Sequence, residues 1–255
     1  MNELFIGGGG YSGIMFIGAL EYINEHKLLD LKNFYGCSIG SLIGILYVSG
    51  MAPKHILGKF LELDLSEIVK YNINYDNKCL IDDTLLDSLM EILWCKYSEE
   101  ITLKEFSGDT SVNINIFVTN VTTNEYINFN NEDYPEIKLK DAIKASMSIP
   151  FLFKPVKING ENYIDGCCKN IYGSPPDNRY ILGYSIILKT DNKDLSYFSD
   201  VLHSMSSGTK PNSVYTIVCK NMGNPGMYMN LNKLDTHFIL EMYKNGIEHA
   251  RETLT

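Results

Sequence analysis

The sequence predicts an α/β sandwich around a mainly parallel sheet, and three observations carry that expectation. Two strand-to-helix turns fall within the first forty residues, strands and helices alternate through a β-rich middle, and the C-terminal stretch is helical. At 255 residues, with no long Pro/Gly/Ser linker, the chain is expected to form a single domain over residues 1–255.

Leu4-Phe5-Ile6 is a short apolar run that meets Gly7 to Gly10, and beyond the glycines Ile14, Phe16, Ile17, Leu20 and Ile23 recur at helical spacing. That pattern reads strand, glycine loop, helix. A second strand ends near Gly36, and a helix follows from Ser38 to about Val48, stopped by Gly50. Pro53 opens a further helix through Phe60, while residues 82–94 place Leu85, Leu86, Leu89, Ile92 and Leu93 on a helical period. Val112, Ile114, Ile116 and Val118 alternate as a strand, with residues 125–129 as its hairpin partner. The stretch 138–147 is helical and stops before Ile149-Pro150, because proline disfavours helix in the residue before it. Further strands are expected at Tyr163-Ile164 and at residues 180–188 and 214–219. A last helix over about 235–252 brings Phe238, Met242 and Ile247 near one face.

Composition narrows the class of function. With 45% apolar and 21% charged residues the chain is an ordinary globular protein rather than a disordered one. A net charge of −9 and a pI near 5.1 argue against a nucleic-acid partner, which wants a basic stripe, and against adsorption to anionic lipid by charge alone. Cys37, Cys79, Cys95, Cys167, Cys168 and Cys219 form no CxxC pair, as expected of free thiols in a reducing compartment. Met1-Asn2-Glu3 lacks a basic n-region, and no segment reaches the ~20 apolar residues of a membrane span. The expected location is intracellular, in the cytoplasm.

Gly36-Cys37-Ser38-Ile39-Gly40 lies between a strand and a helix, the pattern of a nucleophile elbow that lifts a serine hydroxyl out of the backbone. Acyl transfer to serine also needs a base, backbone donors for the oxyanion and room for the acyl group. Gly7 to Gly10 precede a helix, so their N–H groups can crowd a negative oxygen without Cβ interference; the alternative is a tight turn that merely needs glycine. For the base, His26, His55, His203, His237 and His249 are available, none in a telling context, and His203 follows the last plausible acid in hydrolase order. Asp165, in Tyr163-Ile164-Asp165-Gly166, is the stronger candidate. Burial beside the serine would raise its pKa from about 3.9 and put it in direct reach of the hydroxyl, although Asp-Gly is also a hairpin-turn signal. Phe151-Leu152-Phe153 and Met227-Tyr228-Met229 are candidates for an apolar rim that accepts an acyl chain.

Four segments in order, Gly8-Gly9-Gly10-Tyr11-Ser12-Gly13, Gly36-Cys37-Ser38-Ile39-Gly40, Ala145-Ser146-Met147-Ser148-Ile149-Pro150-Phe151 and Asp165-Gly166, resemble the motifs of the patatin-like phospholipase family. The resemblance spans most of residues 1–170, and the terminal helix with Gly246 is also similar. It implies a three-layer α/β/α sandwich and a Ser-Asp dyad that hydrolyses phospholipid or other acyl-ester lipids without calcium, metal or cofactor. By position Ser38 is the nucleophile, Asp165 the proton acceptor, and Gly8, Gly9 and Gly10 line the oxyanion hole. Peripheral contact with a membrane follows from such a substrate. The chain departs from the family in three places: Ser12 stands where Arg or Lys is usual, Cys167 follows Asp165-Gly166 in place of a small residue, and the Asn and Pro of the next loop are displaced to Asn170 and Pro175.

Two other classes compete. A catalytically weak lipid-binding or regulatory relative is made conceivable by Ser12. A nucleotide-binding module is suggested by Gly8-x-Gly10-x-x-Gly13, although the second strand ends in Gly36-Cys37-Ser38 and lacks the acid that would hold a ribose.

Overall fold

A computed structural model of the protein describes residues 1–63, 79, 84–94, 96–175, 179–189, 208–220 and 235–255. Eight strands form one sheet: β1 (Glu3–Ile6), β2 (Asn33–Cys37), β3 (Asn113–Asn120), β4 (Glu125–Asn130), β5 (Val156–Ile158), β6 (Glu161–Asp165), β7 (Tyr180–Lys189) and β8 (Asn212–Lys220). Their order is β5-β6-β3-β2-β1-β7-β8, with β4 also paired to β3. The contacts among β3, β2, β1, β7 and β8 are parallel, whereas β3 meets β4 and β6, and β5 meets β6, antiparallel. The mainly parallel sheet is therefore present with the expected β3–β4 hairpin, and β5 and β6 add an antiparallel flank that hydrophobic periodicity did not separate. That flank turns on Asn159 (φ 51°) and Gly160 (φ 89°), the two positive-φ positions of a type I′ hairpin.

The described helices are α1 (Gly13–Glu25), α2 (Ile39–Val48), α3 (Pro53–Glu62), α4 (Thr84–Trp94), α5 (Leu103–Thr110), α6 (Leu139–Met147) and α7 (Thr236–Leu254). The start of the helix expected over 82–94 lies outside the described residues. Helix α5 was not anticipated, yet its start is written in Thr102-Leu103-Lys104-Glu105. The Glu105 N–H donates to Thr102 Oγ1 at 3.2 Å and the Thr102 N–H to Glu105 Oε2 at 2.9 Å, a reciprocal capping box. Asp235 caps α7 by accepting the Phe238 N–H at 2.8 Å. None of the described helices is long and apolar enough to cross a membrane.

Side chains alternate across the sheet, so β1 sends Leu4 and Ile6 to one face and Phe5 to the other. The first face joins Phe34, Ile116 and Ile186 to the apolar sides of the helices. The second holds a smaller cluster of Phe5, Tyr35, Cys37, Phe117, Ile181 and Ile187. Burial on both faces explains why Leu4-Phe5-Ile6 is continuously apolar, and each large side chain so buried contributes roughly 2–3 kcal/mol. Helix α2 is buried without a break from Ile39 to Leu46, consistent with its lack of a polar face. Helices α1 and α7 cross closely at Gly18 and Gly246, where a Cβ on either would strike a carbonyl oxygen of the other helix.

Candidate active site

Parallel strands deliver their C-terminal ends to one edge, and the loop after β1 and the turn after β2 meet there. Ser38 sits between β2 and α2 with φ 53° and ψ −137°, a left-handed backbone that costs a non-glycine residue about 1–3 kcal/mol. Its glycine neighbours are a steric requirement. A Cβ on Gly36 would lie 2.7 Å from Ser41 Cα, and one on Gly40 would strike the carbonyl oxygens of Ile6 and Gly7. The strained turn is held by hydrogen bonds on both sides. The Ser38 carbonyl accepts from the Ser41 N–H (2.9 Å) and hydroxyl (2.6 Å), and the Ser38 N–H donates to Ser146 Oγ at 2.9 Å. Ser146, from α6, passes its own proton to the Phe117 carbonyl at 2.7 Å.

Strand β3 is the ruler that brings Asp165 to Ser38. Cys37 is in register with Phe117 on one side of β3, and Asp165 with Val118 on the other. The two candidates, far apart in sequence, thus arrive at the same level of the sheet. Ser38 Oγ donates to Asp165 Oδ2 at 2.6 Å, and the Cys167 N–H donates to Oδ1 at 2.8 Å. Thr119 Oγ1 fixes the Asp165 carbonyl at 3.1 Å, and the Asp165 N–H donates to the Ser148 carbonyl at 3.0 Å. Both side chains are buried, Ser38 at 5% and Asp165 at 2% exposure. Burial pushes the Asp165 carboxyl up from 3.8 to about 6, opposed by the hydrogen bonds from Ser38 and the Cys167 N–H. The hairpin-turn alternative for Asp165-Gly166 does not hold: Asp165 caps a 3-10 turn over Gly166–Cys168. Neither Ser38 nor Asp165 has a histidine partner among the described residues; His203 lies outside them.

Gly8 lies against both the serine and the loop after β6. A Cβ there would sit 3.3 Å from Ser38 Cβ and would strike Cys167 Sγ. The N–H groups of Gly8 and Gly9 have no acceptor among the described residues, and Gly8, Gly9 and Gly10 are all half-buried. Ser12 is fully buried, its N–H donating to the Gly9 carbonyl, so position 12 brings no cation to this loop. After Asp165 the chain is stitched by Asn170, whose Nδ2 donates to the Ser174 carbonyl (3.1 Å) and hydroxyl (2.9 Å). The proposed apolar rim is corrected in part. Phe151 is 62% exposed, but Leu152 and Phe153 pack into the core, and 227–229 lie outside the described residues.

Sequence reasoning missed the parts played by four residues. Ser146 was visible only as part of a motif, and its role as the acceptor for the Ser38 N–H depends on β3. Cys37 and Cys167 meet with their sulfurs 3.6 Å apart, and together with Asp165 they offer ligand atoms all within 4.8 Å of one another. Beside them the Tyr126 hydroxyl, from β4, is buried and finds no hydrogen-bond partner among the described residues.

A strained serine and a buried carboxylate at the C-terminal edge of a mainly parallel sheet define an α/β protein of the nucleophile-elbow class. Within that class the patatin-like phospholipase family profile matches residues 4–171, and the chain belongs to this family. It is similar to the "Probable lipid hydrolase 463L" of Invertebrate iridescent virus 6, 27% identical over 172 residues that cover 65% of this chain and 59% of that protein. It is also similar to the mouse "1-acylglycerol-3-phosphate O-acyltransferase Pnpla3", 26% identical over 185 residues that cover 64% of this chain and 38% of that protein. Both matches span less than two thirds of the relatives' own lengths. The crystal structure of VipD from Legionella pneumophila superposes with a TM-score of 0.58 over 98% of this chain and 66% of that one at 16% identity. That likeness shows a shared fold, the three-layer α/β/α sandwich.

Proposed function

We propose that this chain is a serine lipid acyl hydrolase of the phospholipase A or lysophospholipase type, working as one domain with a Ser38–Asp165 dyad and without calcium. The observation that carries the reading is the 2.6 Å hydrogen bond from Ser38 Oγ to Asp165 Oδ2, made without a histidine between them. Family membership and the name of the viral relative support a lipid as the substrate class.

In the proposed reaction Ser38 Oγ attacks the ester carbonyl carbon while Asp165 Oδ2 takes the hydroxyl proton. The carbonyl oxygen, now negative, is received by the N–H groups of Gly8, Gly9 and Gly10, with the dipole of α2 ending at the same point. Collapse breaks the bond to the alkoxy oxygen, and Asp165 returns the proton to the leaving alcohol. Water then attacks acyl-Ser38, again giving up a proton to Asp165, and the fatty acid leaves as the serine is restored. The Asp165 carboxyl must be ionised to begin. Since burial places it at about 6, kcat/KM is expected to rise with pH through that value and then level off.

A second reading, acyl transfer to an alcohol, is favoured by the name of the mouse relative, an O-acyltransferase. The same acyl-Ser38 is attacked by an acceptor hydroxyl instead of water, and product analysis with competing alcohols separates the two.

The test uses a panel of phospholipids, lysophospholipids and short-chain esters. Ser38→Ala is expected to lower hydrolysis about ten-thousand-fold with an unchanged circular-dichroism spectrum, a calcium-selective chelator to leave wild-type hydrolysis undiminished, and a fluorophosphonate to label Ser38. Full activity in Ser38→Ala would remove the mechanism. Folded protein that resists the label would instead favour a lipid-binding relative.

A further inference from the structure

Cys37 and Cys167 stand 130 residues apart in sequence, flank the two members of the dyad, and touch through their sulfurs at 3.6 Å. Nothing in the proposed hydrolysis uses either thiol. The sulfurs share a small space with the Asp165 carboxylate, all three ligand atoms lying within 4.8 Å of one another. A tetrahedral Zn2+ with Zn–S bonds of about 2.3 Å holds two thiolates about 3.8 Å apart, and a carboxylate oxygen about 3.6 Å from each. The sulfur pair already has that spacing. The set of two sulfurs and one oxygen suits a thiophilic cation and does not suit Ca2+ or Mg2+, which take oxygen ligands.

A second observation points the same way. The Tyr126 hydroxyl is buried against this cluster, with no hydrogen-bond partner among the described residues. A buried donor left unpaired costs free energy, and a thiolate made by metal binding would supply its acceptor, as outer-shell groups do at metal sites.

We propose that Cys37, Cys167 and Asp165 form a site for a thiophilic divalent cation, Zn2+ or Cd2+, whose occupancy switches the Ser38 centre off. The cation binds the carboxylate and replaces the protons of both thiols, so two protons leave for each ion bound and no electron is transferred. Water or Ser38 Oγ completes the fourth position. With its lone pair on the cation, Asp165 can no longer accept the serine proton. This loss of activity rests on the hydrolase reading; the binding itself does not.

The test is a Cd2+ titration of the full chain read by the thiolate-to-cadmium charge-transfer absorption. Wild type and Ser38→Ala are both expected to show one saturating ion that Zn2+ displaces and Ca2+ does not. Because Ser38→Ala keeps all three ligands but not the nucleophile, its signal is independent of whether the chain is a hydrolase. Cys37→Ala and Cys167→Ala should weaken binding at least about ten-fold, and Cys168→Ala should leave it unchanged. Binding unchanged in Cys37→Ala, or no absorption in the wild type, overturns the proposal. Should a variant fold poorly, cadmium NMR of the wild type counts the sulfur ligands: two supports the site, and any other number overturns it. Zn2+ should also inhibit ester hydrolysis in a way that chelator reverses; inhibition surviving in the Cys37→Ala, Cys167→Ala double variant would show that the cation acts elsewhere.

Discussion

Two carboxylates are buried in this sheet almost equally, Glu3 at 3% and Asp165 at 2% exposure, and their surroundings differ in kind. Glu3, at the first position of β1, is surrounded by donors: Arg179 at 3.0 Å, the Leu182 N–H at 2.6 Å, the Tyr35 hydroxyl at 3.3 Å and Asn33 at 3.4 Å. Arg179 also lies over the Tyr35 ring, 5.1 Å from its centroid. Asp165 has two side-chain hydrogen bonds, one from a serine hydroxyl and one from a backbone N–H, and no cation approaches it among the described residues. Glu3 is paired with a cation and tied to two segments of chain, β2 and the start of β7. Asp165 is left short of positive charge, which is the condition for a carboxylate that takes up a proton near neutral pH.

The sharpest way to break this comparison is Asp165→Asn. Its effect on rate should be the largest of any carboxylate substitution, about ten-thousand-fold in kcat, while stability should move the other way. Folding raises this carboxyl from 3.8 to about 6, so between those values the native state holds a proton that the unfolded chain has lost. Stability is therefore full below pH 3.8 and falls as pH rises through 6, by about 3 kcal/mol for the cited shift. Asp165→Asn should abolish that decline, and its urea midpoint at about pH 8 should exceed that of the wild type. A lower midpoint would mean that the carboxylate contributes more as a structural acceptor than burial costs it.

Glu3→Gln should do the reverse, lowering stability by about 2 kcal/mol in the same urea titration and leaving kcat within about two-fold. A catalytic defect with intact stability would dissolve the distinction between the two sites. The smallest effect is expected at Ser146→Ala, which removes the acceptor for the Ser38 N–H without touching the reacting atoms. Here kcat should fall about ten-fold with KM unchanged, and Ser146→Thr should restore part of it; a change in KM alone would assign Ser146 to substrate binding.

The same pair of sites shows what could be read in the sequence. Gly36-Cys37-Ser38-Ile39-Gly40, the glycine loop and Asp165-Gly166 were legible because each is a local solution to a steric or chemical demand, and their order carried the family and the fold. Glu3 was invisible, since its donors come from residues 33, 35, 179 and 182, and nothing near Glu3 records them. The sulfur pair was hidden for the same reason: metal-ligand spacings are recognised when ligands are close in sequence, and β3 is what makes residues 37 and 167 neighbours. Other misses were legible and overlooked. Asn159-Gly160 is a hairpin turn, Thr102 with Glu105 is a capping box, and apolar periodicity reports neither. Leu152 and Phe153 show the converse, apolar residues next to a site that belong to the core.

The left-handed backbone of Ser38 has an evolutionary corollary. Any side chain at this position bears the steric penalty of its Cβ, and glycine alone does not. Selection for thermal robustness by itself would therefore drift position 38 toward glycine and erase the proposed nucleophile. Under the proposed mechanism a serine there sets durability against turnover, a conflict recorded in a single torsion angle.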